Sequence, residues 1–125
     1  MKTTQTDKAP KAIGPYSQAV SAGGFLFTSG QIPLVPETGE LAGESIEAQA
    51  EQSIKNVQGI LEANGLGIES VIKTTCFLAD MGDFAAFNAI YAKHFVSNPA
   101  RSCVAVKELP KKVLCEIEAI AELKK

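Results

Sequence analysis

Residues 45–64, SIEAQAEQSIKNVQGILEAN, decide the fold because they carry the clearest helical pattern in the chain. Apolar residues recur at helical spacing along one stripe, formed by Ala50, Ile54, Val57 and Leu61. Ser45 precedes the stripe as a suitable N-cap, and Glu47 lies in the first turn, where the helix dipole favours negative charge. Asn64 and Gly65 form a typical helix stop. The stretch therefore predicts a helix with one buried face.

Strand and helix signals alternate on either side of this helix. Two short strands are predicted before it, over residues 17–22 and 25–29, with Gly23 and Gly24 between them as a hairpin turn. After it, the β-branched residues 71–78 predict a third strand. A second helix is expected to begin after Asp83 as its N-cap and to end before Asn98-Pro99. Its apolar stripe consists of Phe84, Phe87, Tyr91 and Phe95.

The last two strands are predicted over residues 101–107 and 113–123, joined as a hairpin by residues 109–112. Alternation on the final strand gives a face with Leu114, Glu116, Glu118 and Ile120, opposite a face of small and apolar residues. The order β-β-α-β-α-β-β predicts a single α+β domain over residues 1–125, with a mixed sheet and two helices on one face. Because the helices cover only one face, we expect the other to be buried in an oligomer.

Composition excludes several classes of function. The chain has 125 residues, a net charge of −2 and no tryptophan, so a basic, base-stacking nucleic-acid surface is not expected. It has neither an apolar signal region at its start nor the roughly 20 apolar residues needed to cross a membrane. Its three cysteines form no metal-ligand or disulfide pattern, which favours the reducing cytoplasm.

The final hairpin contains two candidates for chemistry. Arg101 stands at the entry to a strand, where its planar fork can bind a carboxylate, although its position alone favours a surface or ion-paired arginine. Glu116 and Glu118 share a partly apolar face, which favours a general acid or base with a raised pKa, but a solvated charged face fits the same spacing. In a hairpin Arg101 and Glu116 would lie on neighbouring strands, with the register left open.

Other polar residues remain ambiguous from the sequence. Cys103 shares strand parity with Arg101, but His94 lies on a helix outside the apolar stripe, so a Cys–His pair is not expected. Cys103 is therefore interpreted as lining a site or packing in the core. Asn88 lies on the stripe of the second helix and either fixes a loop or faces a site. The turns at residues 14–18 and 29–31 could contact a ligand or serve only as turns.

Three runs in order resemble the Rid family, also called the YjgF family, of enamine and imine deaminases, and its archetypal RidA-like subgroup. They are IGPYSQA at residues 13–19, TSGQIP at residues 28–33, and PARSCV at residues 99–104 leading to EIEA at residues 116–119. VIKTT at residues 71–75 and DFA at residues 83–85 fit the same pattern. The resemblance extends from about Ala9 to Ala121.

The resemblance implies a chorismate-mutase-like fold assembled as a homotrimer, with the sheets lining a central barrel and active sites in clefts between subunits. It implies that Arg101 binds the substrate carboxylate, that Glu116 activates water, and that Cys103 contributes through its backbone. It places Tyr16, Ser29 and Gly30 on the other side of the cleft as substrate-binding residues, together with Asn88 near the site. Lys73 matches, less closely, a lysine near the cleft.

The implied reaction is hydrolysis of 2-iminopropanoate and 2-iminobutanoate, released by pyridoxal-phosphate enzymes, to 2-oxoacids and ammonia, and it requires no metal or organic cofactor. Two alternatives remain open: a regulatory protein that binds small carboxylates without turnover, and an endoribonuclease or translation inhibitor. The segment at residues 93–98 is shorter than in many relatives, which leaves substrate breadth open.

Overall fold

The computed structural model describes residues 1–124, which form a six-stranded sheet and two α-helices. The strands are β1 (Lys2–Thr4), β2 (Ala19–Ala22), β3 (Phe25–Thr28), β4 (Val71–Leu78), β5 (Ala100–Ala105) and β6 (Cys115–Glu122), and the helices are α1 (Ile46–Ala63) and α2 (Phe84–His94). The sheet order is β1-β2-β3-β6-β4-β5, in which β4 and β5 are parallel and the other neighbours antiparallel. The predicted α+β class and mixed sheet are therefore confirmed.

Helix α1 begins and ends where the sequence predicts. The Oγ of Ser45 accepts a hydrogen bond of 3.1 Å from the backbone N–H of Ala48, which satisfies one of the free donors at the helix start. At the other end Gly65 adopts a φ of +71°, a left-handed conformation that glycine reaches without strain. The predicted apolar stripe is fully buried.

A second buried stripe on α1 is polar, and the apolar pattern gave no sign of it. Gln49 and Asn56 are both fully or almost fully buried, and their side chains bond to loop backbone instead of to water. The Nδ2 of Asn56 donates to the carbonyls of Ile32 and Leu34, at 3.1 and 2.9 Å. Because buried amides need partners, these bonds fix the loop that follows β3 against the helix.

Helix α2 shows one correction to the predicted cap. Asp83 precedes the helix, but its side chain makes no capping bond; instead the carboxylate of Asp80 accepts from the N–H of Gly82 at 2.7 Å. The aromatic stripe is otherwise correct, since Phe87 and Phe95 are fully buried and Tyr91 is nearly so. The helix thereby joins the single core that also contains α1 and alternate residues of β4 and β6.

The expected final hairpin is wrong. Strand β5 pairs with β4 in parallel, with Thr74 opposite Arg101, and β4 lies between β5 and β6. The physical reason is that α2 connects β4 to β5, and a helical crossover returns the chain in the same direction. The predictions also missed β1, whose three polar residues show no strand pattern before they pair with β2.

The two faces of the sheet differ in cover. On β6, Cys115, Ile117, Ala119 and Ala121 are buried on the helix side. The opposite face, called the open face below, carries Glu116 and Glu118 together with apolar residues from four strands, namely Phe25, Phe27, Phe77, Val104 and Ile120. Phe27 and Val104 remain 40% and 46% exposed in the single chain.

Within residues 1–124, neither helix has the length and apolar character needed to cross a membrane.

Candidate active site

Arg101 lies on the helix side of the sheet, in a cleft between α2 and the start of β5. Its Nη1 donates a 2.6 Å hydrogen bond to the Oδ1 of Asn88, and its guanidinium carbon lies 4.8 Å from the ring centre of Tyr91 and 5.6 Å from that of Phe84. The cleft has a volume of about 420 Å³. No carboxylate within residues 1–124 lies within 4.0 Å of the guanidinium. The arginine is therefore a half-buried cation without a counter-ion, which suits an anionic ligand.

Cys103 lies on the same face as Arg101, as strand parity predicted, and stands opposite Cys76 on β4. Its side chain is half-buried and packs against the core. Burial raises the pKa of the Cys103 thiol, and the charge of Arg101 opposes this only in part. Because the thiolate is the nucleophile, a thiol with a raised pKa is unsuited to covalent catalysis.

Glu116 lies in a second cavity, of about 600 Å³, on the other side of the sheet. Tyr16, Ser29 and Gly30 line the same cavity. The remaining lining residues include Lys11, Ile13, Ile32, Leu34, Pro110 and Lys111. Desolvation by burial raises the pKa of Glu116, and the neighbouring charge of Glu118 adds to the increase. A carboxyl of this kind exchanges protons closer to neutral pH than an ordinary glutamate does.

The backbone of residues 30–31 runs directly alongside β6. The N–H of Gln31 donates to the carbonyl of Ile117 at 2.7 Å, and the N–H of Ile117 donates back at 3.1 Å. This pairing presses Gly30 against Glu116: a Cβ at residue 30 would lie 2.8 Å from the carboxyl carbon of Glu116 and closer still to one of its oxygens. Glycine is required here for close approach, so that the carboxylate can lie against the backbone.

Two polar contacts hold the neighbouring turns in place. The hydroxyl of Ser29 donates a 2.6 Å bond to the carbonyl of Ser17, which joins the turn after β3 to the start of β2. Gln18 is buried, and its amide nitrogen donates to three carbonyls, those of Thr6, Ala9 and Pro10, while its oxygen accepts from the N–H of Thr6. The N-terminal segment is thus anchored along the cavity. Tyr16 remains 52% exposed at the rim.

The two halves lie on opposite faces of one sheet. Arg101 pairs with Thr74, which is fully buried on the helix side, whereas Glu116 pairs with Phe77 on the open face. Two strand spacings of about 4.8 Å and three residues of about 3.3 Å separate them by roughly 14 Å in the plane of the sheet. A small 2-oxoacid or imine cannot bridge that distance within one chain.

The sequence therefore grouped the candidates incorrectly. It placed Arg101 and Glu116 together, with Tyr16, Ser29 and Gly30 opposite them, whereas the structure places Glu116 with Tyr16, Ser29 and Gly30 and leaves Arg101 with Asn88 and Cys103.

Several residues around the two cavities were not recognised from the sequence. Tyr91 was interpreted as core alone, yet it also lies against Arg101. Lys11 and Lys111 carried no pattern signal, since they come from distant loops that only the fold brings to Glu116. Lys73 was expected near the site but lines neither cavity, and its Nζ donates to the hydroxyl of Ser102 at 3.3 Å. Within residues 1–124 no group of three or more His, Cys, Asp or Glu side chains is placed to hold a metal ion.

Comparisons with known proteins find similar chains that carry different functional names. A family model described as endoribonuclease L-PSP matches residues 6–123. The chain is 52% identical over 124 residues to the 2-iminobutanoate/2-iminopropanoate deaminase of Salmonella typhimurium, covering 96% of each chain. It is 53% identical over 126 residues to RutC family protein slr0709 of Synechocystis, covering 98% of this chain and 97% of the relative. Among solved structures, E. coli TdcF with bound serine superimposes with a TM-score of 0.94 at 46% identity, covering 99% of this chain and 100% of that one.

Proposed function

This chain belongs to the Rid family, also called the YjgF family, and on that premise we propose that it hydrolyses 2-iminobutanoate and 2-iminopropanoate to 2-oxoacids and ammonia. One observation carries the proposal: an unpaired arginine and a desolvated carboxylate lie in separate cavities on opposite faces of the sheet. Each is half of what a small imino acid needs, and a second copy of the chain supplies the missing half. A relative that shares about half of all residues is named for this reaction, which supports the choice of substrate.

The proposed assembly is a homotrimer whose open faces line a central barrel. The apolar residues of the open face support this arrangement, because side chains such as Phe27 and Val104 would otherwise stay in water. Cyclic symmetry repeats one heterologous contact around the ring. In the proposed contact, Arg101 of one subunit approaches Glu116 of the partner subunit. Three equivalent sites follow, each built from two chains.

In this site the substrate carboxylate binds Arg101. Two parallel charge-assisted hydrogen bonds hold the carboxylate and its attached carbon in one orientation. Asn88 accepts from Nη1 and thereby restrains the guanidinium. The imine carbon then faces the cavity of Glu116, and the gain in rate comes from holding water and imine at reacting distance.

Glu116 carries the proton transfers. As the oxygen of water forms a bond to the imine carbon, the carboxylate takes one proton from that water and passes it to the imine nitrogen, which gives an amino alcohol. The hydroxyl of the amino alcohol then gives its proton to the carboxylate, which passes it to the amino nitrogen as the carbon–nitrogen bond breaks, so that ammonia leaves and Glu116 is again a carboxylate. One water is consumed and one 2-oxoacid and one ammonia are released. The raised pKa of Glu116 suits both directions of transfer.

Turnover of a freshly generated imine tests the proposal. A threonine dehydratase produces 2-iminobutanoate, and semicarbazide traps what remains, so a deaminase lowers the yield of semicarbazone. We expect Arg101→Ala to lower kcat/KM by about 100- to 1,000-fold, because it removes two charge-assisted hydrogen bonds. Lys93→Ala is the matched control, since Lys93 is an exposed cation at the end of α2 that lines neither cavity. No acceleration by the wild-type protein would overturn the proposal.

A second candidate is a regulator that binds small carboxylates without turnover. The serine-bound structure of TdcF favours it, since that relative holds a small amino acid. The same site would serve both roles, so the discriminating result is tight binding of 2-oxobutanoate with no effect on imine decay.

An endoribonuclease is the third reading, and it appears in the description of the family model. The charges of the chain do not favour it, and His94 bonds to Glu51 of α1 and lines neither cavity. RNA binding with a steep salt dependence would revive it.

A further inference from the structure

The ring of Tyr91 packs against the guanidinium of Arg101. The guanidinium carbon lies 4.8 Å from the ring centre, within the range of a cation–π contact. Tyr91 is only 8% exposed, although it contributes to the lining of the cleft, so most of its ring is covered by protein. The sequence and the family resemblance assign this tyrosine nothing beyond a place in the core.

The ring itself is held from two directions. Its hydroxyl lies 2.7 Å from the Oγ1 of Thr74, which is fully buried on β4, and its face stacks on Phe95 at 4.3 Å and 23°. Thr74 is also the direct strand partner of Arg101. One network therefore connects β4, α2 and β5, and it ends at the guanidinium.

We infer that Tyr91, anchored by Thr74, is a positioning residue for Arg101. Tyr91 restrains the plane of the guanidinium, while Asn88 restrains one of its nitrogens. A guanidinium has five N–H donors, so two parallel donors remain for a carboxylate after the bond to Asn88. The flexible arginine is thus ordered before the substrate arrives, which reduces the ordering that binding requires. The inference rests on the proposed function, because it gives Arg101 the carboxylate as its ligand.

Three variants separate positioning from packing. Tyr91→Leu removes the ring, Tyr91→Phe keeps the ring but loses the bond to Thr74, and Phe87→Leu is the matched control. Phe87 lies on the same helix, is fully buried and sits 6.0 Å from the Tyr91 ring, but it makes no contact with the guanidinium. For each variant, calorimetry gives the Kd of 2-oxobutanoate, imine hydrolysis gives KM and kcat, and urea unfolding gives stability.

We expect Tyr91→Leu to raise the Kd of 2-oxobutanoate about 10-fold or more, since the arginine must then be ordered on binding. KM should rise with Kd, and kcat should change less. Tyr91→Phe should lie between Tyr91→Leu and the wild type. Phe87→Leu should lose stability in urea while its Kd stays at the wild-type value. If Tyr91→Leu does not fold, Thr74→Val and Tyr91→Phe give the same test, and both should raise Kd.

Several results would overturn the inference. The first is a wild-type Kd for Tyr91→Leu, and the second is a Kd for Phe87→Leu as high as that of Tyr91→Leu. The third concerns Tyr91→Phe: a Kd equal to the wild-type value would remove the role of Thr74, and a Kd equal to that of Tyr91→Leu would remove the role of the ring. The binding measurement also separates this inference from the proposed function. A wild type that binds 2-oxobutanoate through Arg101 but hydrolyses no imine removes the proposed function and leaves the positioning role standing. Normal imine hydrolysis by the wild type, together with an unchanged Kd in Tyr91→Leu, would remove the positioning role and leave the proposed function standing.

Discussion

Two variants that are inactive alone should regain activity when their subunits are mixed. Arg101→Ala keeps a normal Glu116, and Glu116→Gln keeps a normal Arg101. Because these residues lie on opposite faces of one sheet, each proposed site takes its arginine from one subunit and its carboxylate from the partner. A mixed oligomer therefore contains some sites in which both groups are normal.

The expected recovery follows from counting chains. After full exchange of equal amounts, the chain that supplies the arginine is the Glu116→Gln protein half of the time, and the chain that supplies the carboxylate is the Arg101→Ala protein half of the time. The product is about one normal site in four, whatever the size of a symmetric oligomer. If both residues acted within one chain, no normal site would form at all.

The assay mixes the two proteins in urea, refolds them together and measures imine loss with semicarbazide. Each variant refolded alone is the background. A second mixture, of wild type with the Arg101→Ala/Glu116→Gln double variant, is the matched control. In this mixture about one quarter of all sites should be normal if sites lie between chains, but about one half of all sites if they lie within chains.

Refutation would be clear. Light scattering and mass spectrometry first establish that mixed oligomers have formed. Activity no higher than the two backgrounds in such oligomers, together with half activity in the control mixture, would place Arg101 and Glu116 in one chain and contradict the reasoning from strand register.

Three further predictions concern Glu116 and the packing around α1. Gly30→Ala should lower kcat about 10- to 100-fold with little change in Tm, because the new Cβ displaces the flexible end of Glu116 and leaves the backbone in place; full activity would contradict this. Glu116→Gln should be more stable than the wild type at pH 8, and the difference should vanish as pH falls below about 4.5, the ordinary pKa of the group. The sign follows from the raised pKa in the fold: the proton is held more tightly in the folded state, so its contribution to stability is full below the unfolded pKa and is lost as pH rises through the folded one. Urea unfolding at several pH values checks it, and an unchanged difference would contradict the buried setting of the carboxyl. Gly59→Ala should reduce the free energy of unfolding by about 1–3 kcal/mol, despite the better helix propensity of alanine, because its Cβ would lie 2.8 Å from the carbonyl carbon of Lys8; a gain in urea stability would contradict it.

The helices and most strands could be predicted because their signals are local. The cap at Ser45, the stop at Gly65 and the buried stripe between them depend on residues within one helix. The turn at Gly23 and Gly24, with φ values of +62° and +88°, likewise depends on neighbours that pair directly. The same dependence on local signals explains why β1 was missed. Its three polar residues have no neighbours in the sequence that indicate pairing with β2.

The candidate site required longer-range information. The sequence pointed to Arg101 and Glu116, and the structure places each in a cavity that could serve the proposed reaction. The sequence did not reveal that Tyr91 lies against the guanidinium, because an aromatic residue on an apolar helical stripe has the same pattern whether or not an arginine contacts it. The buried amides of Gln49 and Asn56 were missed for the same reason.

The sequence by itself determined the class of fold, the family and the residues that carry the candidate chemistry, since these depend on local periodicity and short motifs. Only the tertiary structure decided which of those residues share a cavity. Strand pairing is a contact between distant segments, and the insertion of β4 between β5 and β6 moved Arg101 and Glu116 from an expected hairpin to opposite faces of the sheet. No local pattern encodes that order, because it results from how α2 crosses over and where the common core closes.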